Sequence, residues 1–562
     1  MNLTHCRRES MDTMKMYKKL EEQRSFKTSN NLYAIARQNE KMWIGDQWDG
    51  INRRNLDTNT YNFIGKTMEI KNASILANEL AINRTAEEID EDNEHVQKAI
   101  KCFNLADRKN WERLQMDAMN EQFILNASIE GLGVSYWYWD NDIESGNTVK
   151  VKGDINGQLI DSVNFYVANP AEVDVQKQPW IILTVDMTNK ELQQYAKDRG
   201  VSKEKANSIM PDEQEITYRA YEKADYQQLD KDEQLSTLMI CFKKEEGMIY
   251  KAEMTKDIMI EDWKDIDMTI YPIAIMPYKP RKRFIYGEAE PTRYIANQRS
   301  VNKQLAARTL HALLMAVPKL LVNENMAGSV TNAIGSINKV KMPPNSNVSS
   351  AMAYLQPTAM SIDVDKAVDD NINLTMDLAG VNQNIQGAAR PENAAALLTQ
   401  IKQASIPIET YKRRLYKYIE DVGRVWLEFY KTKYNITRKY KDEEGEYEFT
   451  GTDFKDAIVN TKTDVGPSTQ WSEIVANQML MDLWGAGVIR DPQQLLKRLP
   501  KNSIIDQDGL VQDVETKEVL TTLLNGLIGP ENAEQILAMA PEEQLAIIQQ
   551  QIAQQAGGQN VM

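Results

Sequence analysis

From Pro391 to Tyr434 the chain carries apolar residues at Leu397, Ile401, Ala404, Ile408, Leu415, Ile419, Val422, Trp426 and Phe429, with polar positions between them. Steps of three, four and seven place them on one face, so the segment predicts a single helix about 65 Å long. That is longer than a small domain is wide. Such a helix needs neighbours along its whole length, other copies of the same chain among them. Pro407 lies inside it and predicts a kink near Gln403, because proline removes one backbone hydrogen bond and its ring clashes with the preceding turn.

Two shorter helices precede it. The first opens at Glu288-Ala289-Glu290-Pro291, where acids and a proline suit the partial positive charge of a helix start. It continues through Tyr294, Val301, Leu305, Thr309, Ala312 and Ala316, with Arg293, Arg299, Lys303 and Arg308 off the stripe. Residues 317–357 interrupt the pattern with Gly328, Gly335, Pro343-Pro344 and many Asn and Ser residues, a density of breakers that no continuous helix holds. Helical pattern returns from Ile362 to about Asn382, with Asp363, Asp365, Asp369 and Asp370 in its first turns. A loop rich in Asn, Gln and Gly, Gly380–Pro391, leads into the long helix.

The N-terminal half reads as helices over 11–45, 61–82 and 92–130, then as strands from Gly133 onward. Val134 to Asp140 alternates and is aromatic, and segments 149–152, 163–167, 180–186, 216–224, 235–244, 248–253 and 271–280 continue the period-two pattern. Short helices interrupt them at 188–197 and 203–209. Past the long helix, 435–441 and 447–450 flank a charged turn and read as a hairpin. Residues 453–464 add a strand or loop, 472–484 and 491–499 add helices, and the weakly apolar end closes in a Gln-rich tail.

At 562 residues the chain is long enough for about two to four domains, and 42% apolar with 26% charged residues is ordinary for a globular protein. Cys6, Cys102 and Cys241 lie far apart and imply neither a disulfide framework nor a metal knuckle; packing is the role expected of Cys102 and Cys241. The greasiest run, Leu310–Val322, is too short to span a bilayer and holds Pro318 and Lys319, so no membrane partner is expected. The formal charge of −15 opposes a protein that grips nucleic acid, whose affinity comes from neutralising phosphates. It is compatible with a conduit through which DNA slides. The three histidines, His5, His95 and His311, stand in no nucleophile context, and no zinc, phosphate-loop or dinucleotide motif occurs. No catalytic residue, metal or cofactor is expected. Asp363, Asp365, Asp369 and Asp370 are the best candidates for a two-metal nuclease site, but charge favoured at a helix start accounts for much of the cluster. The acidic run from Glu87 to Glu94 reads as a solvated helix cap. Arg281-Lys282-Arg283 is a run of three consecutive cations: it meets DNA or a partner's acids, or it is an exposed loop.

The order of these parts resembles the portal proteins of tailed bacteriophages. Local matches are Gly45-Asp46-Gln47-Trp48, Asn169-Pro170 with the segment to Val175, Tyr286-Gly287, Gln298 and Asn302, Gly380 to Pro391, and Asp464-Val465-Gly466-Pro467 followed by Gly487 to Pro492. The resemblance implies a predominantly helical α+β portal fold, with wing, stem, clip and helical crown regions, assembled as a ring. Residues 1–285 would form the N-terminal part of the wing, 286–316 the first stem helix, 317–360 the clip and 361–382 the second stem helix. The tunnel loop would be 383–391, the long kinked helix and rest of the wing 392–502, and the crown and tail 503–562. DNA-facing residues would be Asn382, Gln383, Asn384, Gln386 and Arg390, and channel-lining residues the four stem aspartates. Lys319, Asn323, Lys339 and Lys341 would lie in the clip, which docks first the terminase large subunit and then a head-completion adaptor. Implied partners also include double-stranded DNA in passage, further copies of the chain as a dodecamer, and the major capsid and scaffolding proteins, in a virion assembled in the bacterial cytoplasm. Two other classes stay open: another oligomeric virion protein (a scaffold or minor capsid component), and a metal-dependent nuclease. One cation per subunit in the tunnel loop suits holding DNA without gripping it. Arg390→Glu is therefore expected to change DNA retention in assembled particles while assembly itself proceeds, and unchanged retention removes this residue from the argument.

Overall fold

A computed structural model describes residues 3–49, 58–87, 93–145, 151–212, 234–316, 319–323, 352–355, 362–380, 394–442 and 445–465, with a few further positions in 341–347 and beyond 479. The chain divides into two units, residues 1–76 with 80–464 and residues 77–79 with 465–562; the account below concerns the first.

In chain order this unit holds helices α1 (Leu3–Ser29), α2 (Leu32–Ile44) and α3 (Phe63–Ile75), strand β1 (Leu80–Ala86), and helices α4 (Glu94–Arg113) and α5 (Met116–Glu130). Strands β2 (Leu132–Ser145), β3 (Val151–Ile160), β4 (Phe165–Val167) and β5 (Trp180–Thr188) follow, then helices α6 (Asn189–Asp198) and α7 (Lys203–Asn207). Next come β6 (Leu235–Glu245), β7 (Met248–Met254), β8 (Met259–Asp265), β9 (Ile273–Pro277), β10 (Lys279–Arg281) and β11 (Phe284–Glu288). The remainder is α8 (Ile295–Ala316), β12 (Lys319–Val322), β13 (Met352–Leu355), α9 (Ile362–Ala379), α10 (Ala394–Lys433), β14 (Arg438–Asp442), β15 (Gly445–Phe449) and β16 (Val459–Val465).

The expectation of a predominantly helical chain is overturned. Of the described residues about 50% are helix and 27% strand, a mixed α/β composition with several antiparallel sheets. Strands β4 to β8 form a five-stranded meander in sequence order, and β3-β2-β9 form a three-stranded sheet. The described period-two aromatic and β-branched segments thus pair with one another within residues 132–288, while the predicted strand 216–224 lies outside the described residues; pairing extends through β8 and the β10–β11 hairpin, which alternation alone did not separate from loop. The predicted helix 61–82 ends at Ile75, because Leu80–Ala86 pairs with β16 instead. The predicted helix 92–130 is two, broken at Gln115 with φ +50°, and α1 breaks from α2 at Asn31 with φ +58°. Asparagine visits that left-handed region more readily than most residues.

The central core packs α4, α5 and the three-stranded sheet against α10. Trp137 meets Trp426 edge-on with centroids 5.3 Å apart, and Phe123 stacks on Tyr418 at 3.8 Å. Opposite Trp137 in the ladder stands Gly157, where a Cβ would lie 2.3 Å from the indole; only glycine leaves the ring room. Ile408, Leu415, Ile419, Val422, Trp426 and Phe429 of the predicted stripe are buried, and α10 runs unbroken through Pro407. Cys102 and Cys241 are buried, as expected from their apolar settings, and burial pushes the Cys102 thiol up to about 11. Lys27 pins α1 to the sheets. Its ammonium donates to the carbonyls of Ser162, Val163 and Phe165 at 2.7, 2.9 and 2.7 Å and lies under the Tyr166 ring at 4.0 Å. Burial pulls its pKa well below the ordinary lysine value.

A second buried network ties β1, α4, β3, α10, β14 and β16. Arg84 grips Asp107 through two bonds of 2.7 and 2.9 Å and donates to Thr461 at 2.7 Å. The Tyr430 hydroxyl donates to Asp107 at 2.9 Å, while Tyr434 and Arg438 hold Asp154 at 2.6 and 3.3 Å. Removing one partner of such a pair strands the other charge in low dielectric, whereas removing both is far milder. Arg84→Met is therefore expected to lower unfolding free energy by about 3–5 kcal/mol in urea titrations. Adding Asp107→Leu is expected to recover most of that loss.

Candidate functional site

Helices α8 and α9 run antiparallel. Asn297 donates to Thr375 Oγ1 at 2.8 Å, and the Tyr294 hydroxyl stands 3.5 Å from the Leu378 carbonyl. Between them Tyr294, Val301 and Leu305 pack with Val368, Ile372 and Met376. At the ends remote from those bonds the chain passes into β12 and returns through β13, paired from Lys319↔Leu355 to Val322↔Met352. The segment predicted to form an insert thus leaves and re-enters through one two-stranded neck, which the breaker-rich composition alone did not show.

The root of this helix pair is a buried charge cluster. Glu290 is fully buried, with Lys71 Nζ at 3.0 Å from one carboxylate oxygen and Lys279 Nζ at 2.8 Å from the other. Tyr294 donates its hydroxyl to the same carboxylate at 3.2 Å. Lys71 also donates to the Ala379 carbonyl at 3.2 Å, at the C-terminal end of α9, where a cation meets the negative pole of the helix dipole. Its ammonium lies 4.3 Å from the Tyr411 ring on α10. Burial pulls the Lys71 pKa below the ordinary value while Glu290 opposes the fall. For Tyr278, Tyr294 and Tyr411 burial pushes the hydroxyl pKa upward, so they stay neutral donors. Gly380 follows with φ +75°, and a Cβ there would stand 3.1 Å from Pro407. The proline of the long helix therefore sits against the turn that ends α9.

Two motifs distant in sequence meet beside this root. Gln47 accepts from Asn302 Nδ2 at 2.7 Å, and Gln298 donates to the Tyr61 carbonyl at 2.6 Å while accepting from the Ile64 amide at 3.1 Å. Tyr286-Gly287 and Asn169-Pro170 also come together, since the Ile285 amide donates to the Pro170 carbonyl at 2.9 Å. A Cβ on Gly287 would stand 2.6 Å from the Gly131 carbonyl oxygen. Four of the motif fragments singled out in the sequence therefore form two contacts.

The predicted site residues are distributed unevenly. Asn382, Gln383, Asn384, Gln386, Arg390 and Lys339 lie outside the described residues. Asp363 and Asp365 fall in the first turns of α9, and Asp369 and Asp370 are exposed on it. Lys319 is in β12 opposite Leu355, and Asn323 and Lys341 are exposed. Sequence reasoning missed Lys71 and Lys279, and took Glu290 for a helix-start acid. Nothing local marks Lys71, whose partner lies 219 positions away. Among the described residues no three His, Cys, Asp or Glu side chains converge to hold a metal, and no helix is long and apolar enough to cross a membrane.

Glu290→Gln would leave two ammonium groups facing a neutral amide. Hydrogen exchange of the last-turn amides of α9 is expected to accelerate at least about tenfold, the effect of ~1.4 kcal/mol, while β5 and β6 stay protected. No protein-family model matches this chain, and no curated protein is significantly similar to it.

Proposed function

We propose that this chain is the subunit of a ring-shaped channel at a capsid vertex, through which DNA is packaged, retained and ejected, the role of tailed-phage portal proteins. The observation that carries the reading is the α8–α9 pair: antiparallel, rooted on Glu290, and joined through the β12–β13 neck. Its outward side exposes Leu374 and Leu378 at 62% and 74%, one turn apart on α9, while Val368, Thr375 and Ala379 of the same helix are buried. Leu313 on α8 and Ile406 on α10 are exposed too, at 58% and 65%. Large apolar side chains left in water on two packed helices call for neighbours, and a head-to-tail contact that closes by rotation makes a ring.

On this reading residues 317–360 dock the terminase large subunit and later an adaptor, and Asn382 through Arg390 face passing duplex DNA. Asp369 and Asp370, on an exposed helix face, add acidic girdles that keep phosphates central. Scaffolding and major capsid proteins surround the assembled dodecamer, and the chain itself performs no catalysis. Nothing in the exposed Asp369 and Asp370 favours the nuclease alternative.

Native mass spectrometry and negative-stain microscopy of the purified chain test this. Closed rings with a central hole, of dodecameric mass, are expected. Leu374→Glu with Leu378→Glu is expected to abolish rings while circular dichroism and the melting midpoint hold. A wild-type chain that stays monomeric at high concentration, or rings indifferent to both substitutions, defeats the reading.

A further inference from the structure

The basic triplet Arg281-Lys282-Arg283 sits at the tip of the β10–β11 hairpin. Arg281 pairs with Phe284 across a two-residue turn of Lys282 and Arg283, and the turn needs a left-handed residue, Arg283, with φ +54°. All three side chains are exposed. Facing them is one stripe of α10: Arg414, Lys417, Asp421 and Arg424, spaced three, four and three apart, as neighbours on one helix face must be. Hairpin and helix wall a groove of about 800 Å³. Six cations line it against two carboxylates, Asp174 and Asp421.

The carboxylates are already engaged. Asp421 holds Arg424 at 2.8 Å, and Asp174 accepts from the Gln176 amide at 3.0 Å and faces Lys177 at 3.4 Å. Arg414 is spent on the Tyr278 carbonyl at 2.6 Å. Arg281 lies 4.5 Å from the Phe284 ring. Three hairpin cations that make no ion pair among the described residues, beside Lys417, which shares Asp421 with Arg424, form a local field opposite in sign to the −15 net charge of the chain.

The floor between these walls is apolar. Ile275 and Pro277 of β9, Ile270, and Val173, which is 54% exposed, contribute to it. An apolar floor with a cationic rim does not suit a duplex, which presents phosphates and sugars and is repelled at range by the acidic chain. It suits a short segment carrying both carboxylates and aliphatic side chains, since carboxylates take the forked donors of arginine and the aliphatic groups leave water.

We propose that this groove docks an acidic, leucine- or valine-bearing peptide segment of a partner protein, with carboxylates on Arg281, Lys282 and Lys417 and aliphatic groups on Val173 and Ile275. The site does not depend on the channel reading, because peptide binding and ring assembly are measured separately. A fluorescein-labelled synthetic peptide of repeating Glu-Glu-Leu, titrated with the full-length chain and followed by fluorescence polarisation, is the probe. Saturable binding is expected, weakened at least about tenfold by Arg281→Glu with Lys282→Glu and, independently, by Lys417→Glu, and weakened by salt because the pairs at the rim are screened. The two substitutions lie on different elements, so a folding defect in one leaves the other as a test. A peptide of glutamates alone is expected to bind more weakly. Absence of saturable binding, affinity unchanged from wild type in both variants, an all-glutamate peptide that binds as well, or displacement by a short DNA duplex at lower concentration than by unlabelled peptide each overturns the proposal.

Discussion

Glu290 is the point on which the described unit is assembled. It is fully buried between two lysines, one from α3 and one from β10, and it accepts from Tyr294 just before α8. Lys71 in turn caps α9 and lies against an α10 ring. A carboxylate out of water is tolerated only when its charge is met: here Oε1 takes hydrogen bonds from Lys71 and Tyr294, and Oε2 faces the Lys279 ammonium. The cluster therefore forms completely only when α3, the β10–β11 hairpin, α8, α9 and α10 all take their places. Hydrophobic burial, being non-directional, does not enforce such an arrangement by itself.

The same logic recurs at the other two buried polar sites. Lys27 has three donors and finds three carbonyls, so its position along the β4 edge leaves little room for a register shift of α1. Arg84, Asp107, Tyr430, Tyr434, Asp154 and Arg438 link the N-terminal helices to strands that arrive hundreds of residues later. These networks sit around apolar cores whose side chains, such as Phe123 on Tyr418, interlock but would tolerate exchange of volume more easily than the networks tolerate loss of a charge.

Much of this was legible in the residues. The stripe from Ile408 to Phe429 marked a helix and its buried face, and every described member of it is inside. Val134 to Asp140 marked a strand through alternation, whereas the helix breaks at Asn31 and Gln115 were not marked by local pattern. Where local pattern misled, a distant partner had prevailed: Leu80 to Ala86 carries enough apolar character for either state, and β16 decides for strand. The balance of helix to strand was misjudged for the same reason, since β8 and the β10–β11 hairpin are half-buried or charged and show little alternation.

By itself the sequence determined which segments are amphipathic, where the chain turns, that its cysteines pack and that its net field is acidic, because these depend on residue type and near-neighbour spacing. Tertiary structure alone decided that Gln47 meets Asn302, that the hairpin cations face the Lys417 stripe, and that Lys71 and Lys279 share Glu290. Charge pairing over such separations in sequence is set by the path of the backbone, and burial turns it from a weak surface contact into a strong one by removing the water that would screen it.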